Sequence, residues 1–531
     1  MSNFGFLQTE WPDVFDSARR AESLSLGDPR TSCFYARRAL ELAVRWLYKS
    51  DNSLKLPHSE SLSALIFEPT FRDAIGSPRL TKARIIKDLG NLAVHSHKPI
   101  READAIAAVR ELFHFCFWIA RTYARGPTPP DGIDFNPELL PKVAATSSQT
   151  VAQLQTLEGQ LREKDEKLVE LLEGKQELDD ELRRLREEVA AAKKANAVQP
   201  DRHDYSEAET RDYFIDLLLK EAGWPLDKAQ DREFPVTGMP SESKEGFVDY
   251  VLWSDNGKPL ALVEAKKTIR DARVGQQQAK LYADCLEQKF GQRPIIFYSN
   301  GYQHWMWDDT SHPPRAVQGF YKKTELELII QRRTTRRKLA DAEVSKTIVE
   351  RYYQTRAIRR ISEAFETDNS RKALLVMATG AGKTRTVIAL CDLLMRCNWA
   401  KRILFLADRV ALVNQALNAF KQHLPDSSPV NLVTEKDKEG RVYVSTYPTM
   451  MGLIDQAKDG QKRFGVGHFD LVIIDEAHRS VYQKYRAIFE YFDSYLVGLP
   501  LPQRTRSIAI LTRSSISKKA SRQMLTRWRT P

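Results

Sequence analysis

Long hydrophobic runs are missing from this 531-residue sequence. Nowhere do roughly eighteen apolar residues stand together, and residues 1–10 show no basic stretch followed by an apolar one. That excludes a helical membrane span and an ordinary secretory leader, so we expect a cytoplasmic protein with no membrane partner. Cysteine is scarce. Cys33, Cys116, Cys285, Cys391 and Cys397 are scattered without a Cys-x-x-Cys pair, which supports neither a disulfide framework nor a zinc ribbon and predicts reduced, buried thiols. Acidic residues are absent from residues 500–531, which carry Arg504, Arg506, Arg513, Lys518, Lys519, Arg522, Arg527 and Arg529. Removing these eight from the net charge of +11 leaves +3, so the basic excess belongs mostly to the tail and nucleic-acid binding must be argued from motifs. What is present, 42% apolar and 28% charged residues, is the composition of a globular chain long enough for roughly three to four folding units.

Residues 1–125 read as an all-α module. Ala36, Leu40, Ala43 and Leu47 recur at helix spacing, as do Ala105, Ala108, Leu112 and Phe115. A Pro/Gly-rich linker occupies 126–150. Over 151–196, Leu154, Leu161, Leu168, Leu182 and Val189 fill one heptad position and Leu157, Leu171, Leu178 and Leu185 the other, with Lys164 and Lys175 interrupting the seam. This predicts a coiled coil used as a spacer or association helix; the other reading is a charged helix packed on its own protein. An α/β unit follows over 204–325, with a helix from Glu207, Ala208 and Glu209 toward Trp224, strands at 247–253, 260–265 and 294–298, and a helix at 276–288. A polar linker at 326–350 leads to a last α/β unit over 351–499.

That last unit carries its chemistry between elements. Residues 373–377 read as a buried strand and Thr386 onward as a helix, with Ala378-Thr379-Gly380-Ala381-Gly382-Lys383-Thr384 between them. Glycines let backbone N–H groups converge on phosphates at a helix N-terminus, so Thr379, Gly380, Ala381 and Gly382 form a candidate cradle for ATP. Lys383 would neutralise the β- and γ-phosphates and the Thr384 hydroxyl would bind Mg2+. Met377 stands where the strict pattern has its first glycine. A second apolar run, 471–474, delivers Asp475-Glu476-Ala477-His478 at the C-terminal end of a strand, where open α/β sheets place their ligands. Asp475 is expected to hold Mg2+ and Glu476 to position or activate the attacking water. Upstream, Gln354 resembles an adenine-reading glutamine. Strands 403–407 and 442–444 lead into Arg409 and into Ser445-Thr446, candidates for gripping a DNA backbone. Together these segments resemble the RecA-like ATP-binding lobe of superfamily 2 DEAD/DEAH-box helicases.

The 204–325 unit holds a second constellation. Asp249 lies in one strand and Glu264-Ala265-Lys266 closes the next. Alternation puts Glu264 and Lys266 on one face, where Asp249 and Glu264 can share Mg2+ while the lysine steadies an attacking hydroxide. Gln278 and Tyr282 are neighbours on the following helix. Asp249, Glu264-x-Lys266 and Gln278, in that order, resemble the PD-(D/E)XK nuclease domain of type I restriction endonuclease R subunits, which implies that the first three are catalytic and Gln278 supports them.

The order of helical module, coiled coil, nuclease-like domain and motor lobe resembles the whole front of such an R subunit. Ser32-Cys33-Phe34-Tyr35-Ala36-Arg37-Arg38 and Gly90-Asn91-Leu92-Ala93-Val94-His95 resemble the small helical DUF4145 domain. The resemblance implies an ATP-dependent translocase and endonuclease on double-stranded DNA, working with methyltransferase and specificity subunits. Two other readings stay open: a solitary helicase with a non-cutting DNA-binding domain, and a non-catalytic fragment that joins a methyltransferase complex. After Leu499 the family continues Thr-Ala-Thr-Pro and then a second lobe, whereas this sequence continues Pro500-Leu501-Pro502. Codons for Pro500 to Gln503 can be chosen so that a one-base shift restores the family motif. The expectation is therefore a frameshifted, motor-inactive product whose residues 500–531 are an aberrant basic tail.

Overall fold

A computed structural model of the chain describes residues 2–57, 60–141, 149–172, 176–196, 214–240, 244–267, 271–378, 380–454, 456–458, 461–477, 479–500 and 509–511. The expected helix start at Glu207–Glu209, Thr379, His478 and most of the basic tail lie outside these residues. Among them, no helix is long and apolar enough to cross a membrane. All five cysteines are buried and unbonded.

The first unit packs α1 (Pro12–Leu24), α2 (Pro29–Ser50), α3 (Leu62–Phe67), α4 (Pro69–His95) and α5 (Glu102–Tyr123). Helix starts are written locally: Pro12, Pro29 and Pro69 occupy first turns, and the Asp28 and Ser61 side chains accept from the backbone N–H groups of Thr31 and Ala64. Helix α5 is apolar nearly all round, from Ala105 to Tyr123, and is accordingly the buried one. Gly90 lets α4 cross α2, because a methyl group there would overlap the Arg37 side chain.

The segment expected to be a coiled coil is instead described as two helices, α6 (Val151–Leu172) and α7 (Gln176–Asn196), that return to this module. Leu154 and Val189 are buried in its core. Arg37 pairs with Glu158 at 2.7 Å, Arg38 with Asp165 at 2.7 Å and Lys193 with Asp51 at 2.6 Å. The apolar positions thus meet the helical module, and the charges match across that contact.

The second unit is a six-stranded sheet in sequential order: β1 (Arg232–Thr237), β2 (Glu245–Trp253), β3 (Pro259–Ala265), β4 (Ile295–Ser299), β5 (His304–Trp307) and β6 (Arg315–Val317). Only β3 and β4 are parallel, and helix α9 (Gln276–Phe290) makes their crossover. Strand β3 is buried at every position. One face carries α9 over Val251, Leu262 and Ile296; the other carries α8 (Asp216–Glu221) and α10 (Lys323–Thr335) over Tyr250, Val263 and Phe297. Helix α10 occupies the start of the stretch expected to be a linker.

In the third unit β7 (Lys372–Val376), β8 (Ile403–Ala407), β9 (Val430–Asn431), β10 (Val442–Thr446), β13 (Leu471–Asp475) and β14 (Tyr495–Leu499) form a parallel sheet in the order β7-β14-β13-β8-β10-β9. A small hairpin, β11 (Ala457–Lys458) and β12 (Gln461–Lys462), stands apart from it. Helices α11 (Tyr352–Glu366), α12 (Lys383–Arg396), α13 (Val410–His423), α14 (Tyr447–Leu453), α15 (Arg479–Lys484) and α16 (Arg486–Tyr491) complete the unit. Strand β15 (Ala509–Leu511) adds antiparallel beside β7, within the stretch expected to be an aberrant basic tail.

The units are bolted together by charge. Asp493 accepts from Arg315 at 2.6 Å and Arg371 at 2.8 Å and also from the Tyr321 hydroxyl; Arg332 pairs with Asp470 at 2.5 Å. Arg72 and Asp88 of the helical module reach Glu490 and Lys462. Burial alone would raise the Asp493 carboxyl, but Arg315 and then Arg371 outweigh it and hold the group well below the usual carboxylate range. A depressed carboxylate stabilises the fold above its ordinary pKa, and that stability is lost as pH falls through the acid range. Asp493→Asn should therefore lower stability by about 3–5 kcal/mol at neutral pH. The gap in melting temperature between it and the parent should close on acidification; a gap that persists unchanged in acid would rule out the carboxylate as its source.

Candidate nucleotide and nuclease sites

The apolar strand β7 ends in the sheet's interior and the chain must turn at once into α12. Gly380 (φ +77°) and Gly382 (φ +82°) take left-handed conformations there, and Gly382 is the residue that caps α12. Lys383 and Thr384 are thereby the first two residues of the helix, half-buried, beside its free backbone N–H groups. The loop is braced from outside by α11. Gln354 donates to the Ala381 carbonyl at 3.3 Å while its oxygen accepts from the Arg351 N–H, and the Tyr353 hydroxyl donates to the same Ala381 carbonyl at 3.2 Å. Gln354, expected to read adenine, is buried and engaged with the loop. A methyl group on Gly382 would stand 2.6 Å from its Nε2.

Strand β13 lies one strand away from β7 and ends in Asp475, opposite Leu499 of β14. Burial raises the Asp475 carboxyl; the N–H of Glu476, 3.0 Å away, and the charge of Lys383 oppose that push. The charge of Lys383 is thus felt by Asp475 at the end of the sheet. Glu476 is held at φ +51°, a left-handed backbone that L-residues avoid. The Tyr447 hydroxyl donates to the Asp475 carbonyl at 2.6 Å, a brace that sequence reading missed because nothing local marks it.

The expected DNA contacts divide. Arg409 precedes α13 with its side chain 82% exposed, free to meet an external phosphate. Ser445 is fully buried and its hydroxyl donates to the Thr446 carbonyl; Thr446 caps α14 through its side chain. Both hydroxyls of this expected DNA contact thus take part in ending β10 and starting α14.

In the second unit, β2 and β3 pair antiparallel with Tyr250 opposite Val263, which brings Asp249 beside the end of β3. The Ala265 N–H donates to Asp249 Oδ2 at 2.7 Å. Glu264, 2% exposed, accepts from Lys266 Nζ at 2.5 Å; Lys266 Nζ donates on to Gln278 Oε1 at 3.2 Å, and Gln278 Nε2 to the Tyr282 hydroxyl at 2.8 Å. The four residues singled out in this unit are thus one connected group. Gly275, just before α9, was not foreseen: a Cβ there would lie 3.1 Å from Glu264 Cγ and 3.2 Å from Lys266 Cε, so its bareness makes room for the pair. The donor chemistry at both sites is carboxylate and hydroxyl oxygen, which suits Mg2+ rather than zinc. Among the described residues no three His, Cys, Asp or Glu side chains cluster as a metal site.

Two family models match the chain where these sites lie. One described as the N terminus of the type I restriction enzyme R protein covers residues 232–315, and one described as the res subunit of type III restriction enzymes covers 347–500. The type I restriction enzyme EcoKI endonuclease subunit of Escherichia coli (strain K12) is 26% identical over 96% of this chain and 53% of its own length. This chain resembles the type I restriction enzyme R subunits. The EcoAI endonuclease subunit of Escherichia coli is 32% identical over 49% of this chain and 34% of its own. Against a solved fragment of an HsdR subunit from Vibrio vulnificus YJ016 the identity is 25% over 57% of this chain and 56% of that one, with a TM-score of 0.22 that says nothing about shared shape. This chain spans about half and about a third of the two curated relatives it matches. Asp249, Glu264, Lys266 and Gln278 fall inside the first matched stretch, and Gln354, Lys383, Thr384, Asp475 and Glu476 inside the second.

Proposed function

We propose that this chain carries two engines of a type I restriction enzyme R subunit: the RecA-like, ATP-binding lobe of a DNA translocase and a Mg2+-dependent PD-(D/E)XK endonuclease. The observation that carries the reading is the connected set Asp249, Glu264, Lys266 and Gln278 at the end of β3, in the same chain as an Asp475 that feels the charge of Lys383 at the end of a parallel sheet. Lys383 and the N–H groups opening α12 receive the triphosphate; Thr384 and Asp475 would hold Mg2+, and Glu476 takes the proton of the attacking water. At the nuclease site Asp249 and Glu264 would hold Mg2+, which when bound supplies Lewis acidity to the phosphodiester. Lys266, tethered by Gln278, steadies the hydroxide that attacks. Gln354 sets the loop rather than reading the base, and Arg409 meets the DNA backbone. Double-stranded DNA is the substrate, and methyltransferase and specificity subunits are the partners.

The test is to combine the chain with methyltransferase and specificity subunits and follow circular unmodified DNA. Mg2+-dependent cleavage and saturable ATP binding without DNA-stimulated ATP turnover are the expected results, in keeping with a motor-inactive product. A complex that never cuts would refute the nuclease half, and one that binds no ATP would refute the nucleotide site.

A further inference from the structure

Between the nuclease-like sheet and the motor lobe, where α10 meets β7 and β14, lies a cavity of about 280 Å³ that neither engine uses. It is near the small end of ligand cavities, roughly 300–1,000 Å³, and much larger than one water (~30 Å³). Seven cationic side chains line it against five carboxylates. The carboxylates are already committed. Asp493 takes Arg315 and Arg371, Asp470 takes Arg332 together with the backbone N–H groups of Lys401 and Arg402, and Asp308 takes Arg333. Glu366 accepts two backbone N–H groups, and burial pushes Glu325 up to about 7.

Three guanidinium atoms in this wall are left without a partner: Arg315 Nη1, Arg332 Nε and Arg336 Nε. Arg332 is 6% exposed, so its spare N–H faces no bulk water. Arg336 is the sharper case. It is half-buried and stacked on Trp399 at 4.5 Å, and no carboxylate of the described residues reaches it within ion-pair distance. Among the described residues its side-chain hydrogen-bond partner is His312 Nε2 at 3.3 Å. Burial first, and then Arg336, Arg315 and Arg371, push His312 down to about 4, so the ring is a neutral acceptor and adds no counter-charge. Buried N–H groups of charged side chains are costly to leave unpaired, and three of them on residues that line one cavity are a surplus of donors for which phosphate oxygens are fitting acceptors.

We propose that this junction is a binding site for a small phosphorylated molecule of about mononucleotide size: its phosphate would rest on the spare N–H groups of Arg315, Arg332 and Arg336, and its body along Trp399. The site is separate from the glycine loop and does not depend on the ATP assignment. Occupied, it would join Arg315 and Arg332 of the nuclease-like unit, and Arg336 just beyond α10, to Trp399 of the motor lobe and so stiffen the contact between the engines.

Calorimetric titration of the 531-residue chain with inorganic phosphate, and separately with AMP, tests this in a Lys383→Ala background that removes phosphate affinity at the loop. Saturable binding is expected there, weakened about tenfold or more by Arg336→Gln, as loss of a charge-assisted contact implies. Binding that vanishes with Lys383→Ala alone, or that Arg336→Gln leaves unchanged, overturns the proposal. So does displacement of phosphate only by duplex DNA and never by AMP, which would make the site a nucleic-acid contact. Should Arg336→Gln fail to fold, selenate-soaked crystals of the parent decide. Anomalous density beside Arg315 and Arg332 supports the site, and density confined to the glycine loop overturns it.

Discussion

Lys266→Ala should cut Mg2+-dependent DNA cleavage by a factor of about 10²–10⁴ while leaving nucleotide binding at the distant loop intact. The ammonium is hydrogen-bonded to Glu264, and both side chains are nearly inaccessible. Removing it strips the attacking hydroxide of its positive neighbour and also takes a hydrogen-bonded cation away from a buried carboxylate, which lowers stability. Lost activity could then reflect lost folding, so the paired variant Glu264→Gln with Lys266→Met is the control. Its amide and thioether keep the volumes without burying a charge, so melting temperature should recover while cleavage stays absent. Cleavage at parental rate by a folded Lys266→Ala protein would end the nuclease assignment.

Lys383→Ala should weaken ATP binding about ten- to a hundredfold, the worth of one or two charge-assisted hydrogen bonds. A second effect follows from Asp475. Burial already raises that carboxyl and Lys383 is one of the two groups opposing the rise, so the variant should hold it higher still. Because the metal needs the ionised form, Mg2+-dependent nucleotide binding in the variant should appear only at higher pH than in the parent. Fluorescent-nucleotide titrations across the weakly acidic range, with and without Mg2+, read both effects. An unshifted pH profile would mean that Asp475 does not feel the charge of Lys383.

Much of this architecture was legible in the sequence because central strands announce themselves. Residues 260–263, 403–407 and 471–474 are unbroken apolar runs, and a strand buried on both faces needs that pattern whatever its neighbours are. The glycines before Lys383 and the spacing of Glu264 and Lys266 were readable for a similar reason, since local geometry sets both. What could not be read is what long-range packing decides. Strand β15 is three residues long and owes its existence to the margin of β7. The heptads of α6 and α7 specify an apolar stripe but not its partner, and the stripe found the helical module. Ser445 and Thr446 fit a DNA-gripping spelling, and their burial at the end of β10 could not be read from that spelling. Asp493, on which three side chains from two units converge, sits in a stretch whose sequence carries no motif at all.

The left-handed Glu476 has an evolutionary edge to it. Holding an L-residue there costs about 1–2 kcal/mol, a debt that asparagine or glycine would largely cancel. A library of variants ranked by heat tolerance alone would thus be drawn toward replacements at this position, and each of them would have thrown away the carboxylate beside the triphosphate. Hardiness and turnover select opposite residues at the tip of β13.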